Sequence, residues 1–247
     1  METRRRFMTH HASPSFSQVG EGIQRAIKAG VCTREELFVT SKLWNTYHAP
    51  EHVEAACRKS LEDLGLDYLD LYLIHFPISL AFVPFSERYP PEWVEPGTQG
   101  LRLAKVPVQK TWGAMEALAT AGLVRDIGVS NWSSQGLRDL LAFCTVKPAV
   151  LQIEAHPYLQ CTKLVEYAMA EGIQVRPNRR KWRNFAVGDS IFSPGERSLL
   201  LHVRLWRYLL PQGRAGGGHR GEARCHTCSG QLLTTILFII SCNPFSI

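Results

Sequence analysis

The chain has 247 residues, of which 45% are hydrophobic and 20% are charged. This composition is typical of a globular protein, so a collagen-like or wholly disordered chain is excluded. The formal charge of +6 is concentrated in one stretch: residues 1 to 175 hold 17 Lys and Arg against 19 Asp and Glu, whereas residues 176 to 224 hold 11 against 3. Any binding to nucleic acid or acidic lipid would therefore have to depend on that stretch.

Cysteine usage and the apolar segments indicate the compartment. The seven cysteines are irregularly spaced, unlike the framework of a small secreted domain, which favours a reducing environment. The N-terminal METRRRF is not followed by the apolar segment of a secretory signal. The apolar run at residues 232 to 242 is too short to span a bilayer. We therefore expect a soluble cytoplasmic protein.

Helical and strand periodicity alternate from residue 19 onward. Apolar residues at four-residue steps predict a first helix that ends at Gly30, where glycine can adopt the left-handed cap. LFVTSKLW, residues 37 to 44, predicts a strand. A helix with one apolar face then runs from Pro50 to Gly65 and is followed by a strand over residues 68 to 76.

Residues 77 to 107 interrupt this alternation. They contain six prolines and two glycines without a sustained period, which predicts a long loop. Loops of this length in compact domains are usually functional or disordered. The alternation then resumes with predicted helices over 108–122, 134–144 and 162–172 and predicted strands over 124–130, 149–155 and 173–175.

Five apolar strands with a helix between each successive pair indicate a parallel sheet buried on both faces, because a parallel connection needs a crossover. No G-x-G-x-x-G follows any strand, which disfavours a doubly wound dinucleotide fold. The sequence therefore predicts an α/β fold and, more specifically, a partial (β/α)8 TIM barrel. In such barrels the chemistry takes place at the carboxyl ends of the strands.

Polar or aromatic side chains stand at the ends of the first four strands. Each has an ordinary explanation: a strand-end lysine is usually solvated, a lone histidine is usually satisfied in the core, and a Ser-Asn pair before a helix is usually an N-cap. Their equivalent positions favour one shared cleft instead. These residues are Lys42 and Trp44, His75, Ser130 and Asn131, and Gln152, with His156 as a further candidate.

The segments that carry these residues resemble the aldo-keto reductase family. LFVTSKLW, LDLYLIHFP, GLVRDIGVSNW and KPAVLQIEAHPYLQ follow one another along the chain. FVPFSERYPPEW and VKPAVLQIEAHPYL are similar to the fungal D-xylose reductase branch. The resemblance covers residues 18 to 175, which leaves a non-family segment over 1–17 and an unrelated tail over 176–247, first basic and then apolar.

The resemblance implies an oxidoreductase that uses NADPH or NADH to reduce the carbonyl group of an aldehyde or an aldose. In the family a tyrosine donates a proton, and a lysine beside it lowers the pKa of that tyrosine, because a positive charge favours the phenolate. That lysine corresponds to Lys42. The histidine that orients and polarises the substrate carbonyl corresponds to His75.

The resemblance also implies a cofactor site and a substrate pocket. Ser130, Asn131 and Gln152 correspond to the residues that hold the nicotinamide carboxamide by hydrogen bonds. Trp44 would line the substrate pocket, or would serve as an aromatic plug at the barrel rim. No metal site is expected.

The family pattern is lost at both ends. The family's tyrosine and aspartate should precede residue 18, where METRRRFMTHHASPSFS stands, and Tyr47 comes too late to take the place of the acid. After Val175 we recognise neither the aromatic that stacks on the nicotinamide nor the basic cluster for the adenosine phosphate. An incomplete barrel leaves sheet edges exposed. We therefore expect a truncated family pattern and impaired catalysis.

Two functions remain open at this point. The first is a carbonyl reductase, and the second is a catalytically inactive binding protein whose basic tail contacts nucleic acid. No helix-turn-helix, zinc finger or aromatic stacking pattern accompanies the tail, which favours a solvated segment and no nucleic-acid partner. Cys225 and Cys228 with His219 form at most half a zinc site. We expect a small-molecule aldehyde or sugar as the partner, and no membrane.

Overall fold

The computed structural model describes residues 16–89, 91–94, 97, 100–156, 158–177 and 240–242. Most of the predicted non-family segment and most of the predicted tail, including the half zinc site at Cys225 and Cys228, lie outside the described residues.

The predicted alternation of helices and strands is confirmed along the described chain. Each of the first five strands is followed or preceded by a helix, and a short 3₁₀ turn follows the first strand at Asn45–Tyr47. The elements are α1 (Phe16–Lys28), β1 (Leu37–Leu43), α2 (Pro50–Leu64), β2 (Leu69–Ile74), α3 (Val108–Thr120), β3 (Val124–Ser130), α4 (Ser134–Leu141), β4 (Val150–Ile153), α5 (Thr162–Ala170), β5 (Gln174–Pro177) and β6 (Ile240–Cys242).

Helix α2 shows how the sequence specifies these elements. Pro50 occupies its first turn, where the missing N–H costs no hydrogen bond. Gly65 ends the helix with φ 65°, a left-handed conformation that glycine adopts without steric cost. The predicted apolar face is buried against the sheet and the neighbouring helices: Val53, Ala56, Cys57, Leu61 and Leu64.

The strands form one sheet in the order β5-β4-β3-β2-β1-β6. Strands β1 to β5 are parallel neighbours, as predicted, with residues such as Thr40 and Leu71 side by side. Strand β6 pairs antiparallel with β1, with Leu37 opposite Cys242. The predicted tail therefore contributes a short edge strand that its apolar pattern alone did not indicate.

The sheet curls as a barrel wall does. Strands β1 and β5 have three strands between them, yet the guanidinium of Arg176 on β5 lies 5.1 Å from the ring centroid of Phe38 on β1. Leu71, Leu73 and Val150 form a small buried cluster separate from the main core. One face of the sheet is therefore concave, and the opposite face packs on the helices. This geometry agrees with the predicted partial barrel.

The loop of residues 77 to 107 is attached to the body at several points. Leu80 donates its backbone N–H to the Asn45 carbonyl at 2.9 Å, which joins the loop to the turn after β1. Leu80 and Leu103 form an isolated antiparallel bridge. These contacts fix the start and the end of the loop beside the carboxyl end of β1.

Close packing of β3 makes Gly128 a sensitive position. A Cβ there would collide with the Val150 carbonyl oxygen and lie 2.8 Å from Leu73 Cδ2. We expect Gly128→Ala to lower the free energy of unfolding by about 1–3 kcal/mol, because a well-packed core has no room for an extra methyl group. Urea unfolding measures this change.

Gly113→Ala is the matched control for this prediction. Gly113 lies on the exposed side of α3, and an added Cβ would meet nothing within 4 Å. The substitution should be neutral or stabilise the protein by about 0.5–1 kcal/mol, since alanine loses less backbone entropy in a helix. Equal stabilities of the two variants would contradict the packing described for β3.

Candidate active site

Lys42 and His75 lie on the concave face of the sheet. Lys42 pairs laterally with Leu73, so the two side chains point to the same side. Because side chains alternate along a strand, His75, two residues after Leu73, points to that side as well. The backbone N–H of His75 donates to the Leu43 carbonyl at 3.1 Å, which extends the ladder past the end of β2. Both side chains are half-buried.

Ser130 and Gln152 share this face. Leu73 pairs with Gly128, and Ser130 follows Gly128 by two residues, so its side chain points to the concave side. Ser130 pairs in turn with Gln152 on β4. Both residues are buried, with exposed fractions of 3% and 9%. The ends of four adjacent strands therefore bring the predicted polar residues to one region.

Asn131 connects three of these strand ends. Its backbone N–H donates to the Gln152 carbonyl at 2.8 Å. Its side-chain Nδ2 donates to the His75 carbonyl at 2.9 Å and to Ser130 Oγ at 3.2 Å. Its φ of 61° lies in the left-handed region, which a residue other than glycine seldom adopts.

Aromatic rings form one wall of the site. The Trp44 ring meets the His75 ring edge to face, with their centroids 5.1 Å apart. Trp93 from the long loop lies 5.1 Å from Trp44 and 4.9 Å from Phe76, and Phe76 stacks on His75 at 4.7 Å. The sequence pattern predicted Trp44 and His75 as site residues but not Trp93 and Phe76. Trp93 lies in a loop without periodicity, and its contacts with Trp44 and Phe76 depend on the fold, so no local pattern in the sequence indicated it.

Two buried polar atoms at the site have no hydrogen-bond partner among the described residues: Gln152 Oε1 and Trp44 Nε1. An unsatisfied buried polar group costs about 1–3 kcal/mol. Such groups in a folded protein call for an explanation, and a bound ligand is a common one. One acceptor and one donor lie within the cluster of predicted site residues, and nine further buried atoms without a partner, such as the Tyr72 hydroxyl and Trp132 Nε1, lie elsewhere among the described residues.

His156 does not join this cluster. It lies beyond the end of β4, and its Nε2 is 3.3 Å from Glu154 Oε1. Its Nδ1 accepts a hydrogen bond from the Tyr158 backbone N–H at 3.2 Å. These contacts satisfy the imidazole within its own loop.

Tyr47 lies in the 3₁₀ turn after β1, packed against the rings of Phe82 and Phe85. Burial raises the pKa of Tyr47 to about 12. A proton donor assisted by a nearby cation would have a lowered pKa instead. The structure thus gives Tyr47 a buried position in the core and no feature of a catalytic acid.

His48 holds the turn after β1 to its neighbours. Its Nδ1 lies 3.0 Å from Ser79 Oγ in the long loop. Its carbonyl accepts a hydrogen bond from Thr111 Oγ1 of α3 at 2.8 Å. The side chain is buried, and burial lowers its pKa to about 4. The imidazole is therefore neutral near pH 7.

No cluster of three or more His, Cys, Asp or Glu side chains able to hold a metal ion occurs among the described residues. Within the same part of the chain, none of the helices combines the length and the apolar character needed to cross a bilayer.

The fold and the cleft together define an α/β protein of the barrel type with a polar and aromatic site at its strand ends. A model of the aldo/keto reductase family matches residues 13–178. The chain belongs to this family, as its motifs predicted.

The similar curated proteins include fungal reductases. The chain is 52% identical over 158 residues to a probable NAD(P)H-dependent D-xylose reductase of Arthroderma otae, covering 64% of this chain and 48% of that protein. It is 56% identical over 158 residues to an NAD(P)H-dependent D-xylose reductase of Pachysolen tannophilus, covering 64% of this chain and 50% of that protein. The chain thus spans about half the length of these relatives.

Solved structures show the same relationship. The aldose reductase from Schistosoma japonicum is 40% identical with a TM-score of 0.63, covering 70% of this chain and 55% of that one. A Bombyx mori aldo-keto reductase in complex with NADP is 34% identical with a TM-score of 0.59, covering 78% of this chain and 58% of that one.

The buried His48 makes stability depend on pH. Its pKa of about 4 lies below the ordinary histidine value of 6.5, so between these values the unfolded chain takes up a proton that the folded protein excludes. The contribution of neutral His48 to stability should therefore be fully present above pH 6.5. As the pH falls toward 4, the free energy of unfolding should decrease by roughly 3 kcal/mol because of this group. Urea unfolding at several pH values measures the decline.

The His48→Gln variant should lose this part of the pH dependence, whereas His52→Gln should retain it. His52 stacks on Phe82 and is only partly buried, which makes it a nearby control of the same chemistry. A His48→Gln variant with the pH dependence of the unmodified protein would show that His48 is not the group responsible.

Proposed function

We propose that the protein is an NAD(P)H-dependent oxidoreductase that reduces the carbonyl group of a small aldehyde or of an aldose resembling D-xylose. The observation that carries the proposal is the set of hydrogen-bonding groups at Ser130, Asn131 and Gln152. The names of the similar fungal proteins, NAD(P)H-dependent D-xylose reductases, support the same activity.

These three side chains fit a primary carboxamide. Both Nδ2 hydrogens of Asn131 are used within the protein, on the His75 carbonyl and Ser130 Oγ, so its Oδ1 is the group left to face a ligand. Gln152 Oε1 is a second acceptor, buried and without a partner among the described residues. Ser130 Oγ accepts from Asn131, so its own hydrogen can be donated. Two acceptors and one donor match the two N–H groups and the carbonyl of a nicotinamide carboxamide.

A reduced nicotinamide held by Ser130, Asn131 and Gln152 would supply a hydride for the carbonyl carbon of the substrate. In the proposal, His75 donates a hydrogen bond to the carbonyl oxygen and holds it over the aromatic wall. Lys42, on the same concave face, contributes a positive charge where negative charge develops on that oxygen.

The aromatic wall suits a substrate with both apolar and hydroxyl surfaces. Trp44, Phe76 and Trp93 offer ring faces and edges, and Trp93 is 37% exposed. The buried Nε1 of Trp44 is a donor without a partner among the described residues, which a substrate hydroxyl would satisfy. We propose Trp44 and Trp93 as substrate-contacting residues on this basis.

A second candidate is a catalytically inactive reductase-like protein that binds the nucleotide without turnover. The position of Tyr47 favours it, since burial raises the pKa of this phenol to about 12. General acid catalysis commonly contributes a factor of about 10² to 10⁴ in rate. A site that obtains its proton from water would be slow. In either case we propose a cytoplasmic protein, in keeping with the free thiols of Cys32, Cys57, Cys144 and Cys161.

NADPH binding tests the carboxamide site. Titration with NADPH, followed by its fluorescence, should show saturable binding. Gln152→Ala should weaken binding about five- to tenfold, because it removes a buried hydrogen-bond acceptor. Gln135→Ala, an exposed glutamine on α4, is the matched control and should bind as the unmodified protein does. Unsaturable binding, or equal affinities of all three proteins, would refute the proposed site.

Turnover distinguishes the two candidate functions. With D-xylose or a small aldehyde, NADPH absorbance should fall with time, and His75→Asn should reduce kcat/KM at least tenfold, about the effect of losing one oriented hydrogen bond to the reacting oxygen. His156→Asn, which changes an imidazole whose contacts lie in its own loop, should not. Saturable binding without NADPH oxidation would select the inactive protein.

A further inference from the structure

The backbone of Asn131 is unusual for its position at the site. Among the described non-glycine residues only Asn131 and Cys161 have a positive φ, at 61° and 50°. Asparagine tolerates the left-handed region better than most residues, but the conformation still persists only where surrounding contacts maintain it. Here the backbone N–H is fixed on the Gln152 carbonyl, directly after the last residue of β3.

The left-handed turn brings the Asn131 side chain back to the end of β2. Its Nδ2 donates to the His75 carbonyl at 2.9 Å across a separation of 56 residues. The second Nδ2 contact, to Ser130 Oγ at 3.2 Å, holds the amide plane in place. The contact with the His75 carbonyl oxygen also identifies the nitrogen of the Asn131 amide, because only the nitrogen of an amide can donate a hydrogen bond to that oxygen.

His75 needs such a partner because it lies beyond β2, which ends at Ile74. Its backbone N–H is held by the Leu43 carbonyl of β1 at 3.1 Å. Its carbonyl is held by the amide of Asn131, from the end of β3. The backbone of this residue is thus fixed from both sides, and its imidazole packs against the rings of Trp44 and Phe76.

We infer that Asn131 is a positioning residue for His75, in addition to any contact it makes with a ligand. Its left-handed backbone and its amide together fix the His75 carbonyl and so maintain the direction of the imidazole into the cleft. The inference rests on the proposed function for its consequence in catalysis, but the contact itself exists without cofactor or substrate.

Three variants separate the parts of this role. Asn131→Gly keeps access to the left-handed backbone and removes the amide. Asn131→Ala removes the amide and disfavours the backbone conformation as well. Gln152→Ala removes a neighbouring cofactor acceptor without touching the His75 carbonyl. Since glycine adopts a positive φ without strain, Asn131→Gly is the variant expected to fold normally.

The first measurement uses the cofactor-free full chain with histidine labelled at Cε1. The His75 signal is assigned by its loss in His75→Gln. We expect Asn131→Gly to shift and broaden this signal, as the imidazole samples more than one orientation, and Gln152→Ala to leave it in place. A His75 signal that is the same in Asn131→Gly and in the unmodified protein would overturn the inference.

The second measurement is kinetic, at saturating NADPH, so that weaker cofactor binding does not enter. Asn131→Gly should lower kcat/KM for the aldehyde roughly fivefold, the factor that corresponds to one lost hydrogen bond. Gln135→Ala, on the exposed side of α4, should retain kcat/KM under the same conditions. Equal losses in the two variants would overturn the positioning role. A shifted His75 signal in a protein that does not bind NADPH would sustain the contact and refute only the proposed function.

Discussion

The hydrogen-bond register between parallel strands is the constraint on which this site depends. Lateral pairing of Lys42 with Leu73, and of Ser130 with Gln152, decides which side chains share the concave face. A slip of one residue in any strand would turn its polar group toward the helices and its apolar residues into the cleft. The buried helix-facing residues, such as Val39 and Tyr72, oppose that slip because both would lose their packing.

The elements that the sequence could predict are those with local signals. The apolar face of α2, its proline and its glycine are all encoded within the helix itself, and the polar ends of four strands follow from the alternation of the fold. Three features were missed. Trp93 lies in a loop without periodicity, β6 pairs with a strand about two hundred residues earlier in the chain, and asparagine adopts either sign of φ. Each depends on distant partners that no short stretch of sequence specifies.

Some polar groups at the site have their hydrogen bonds within the protein, whereas others have no partner among the described residues. Asn131 uses its backbone N–H and both side-chain hydrogens within the protein. Gln152 Oε1 and Trp44 Nε1, a short distance along the same strand ends, have no partner among the described residues. The first kind of group makes the region rigid, and the second kind could be satisfied by the proposed ligand.

The edge-to-face contact between Trp44 and Trp93 has an optical consequence. Two indoles with centroids 5.1 Å apart and planes at 72° have strongly coupled electronic transitions. Such a pair gives a two-signed band in circular dichroism whose size depends on their separation and angle. Because one indole directly follows strand β1 and the other belongs to the long loop, the spectrum of the protein itself reports how firmly that loop packs against the strand ends.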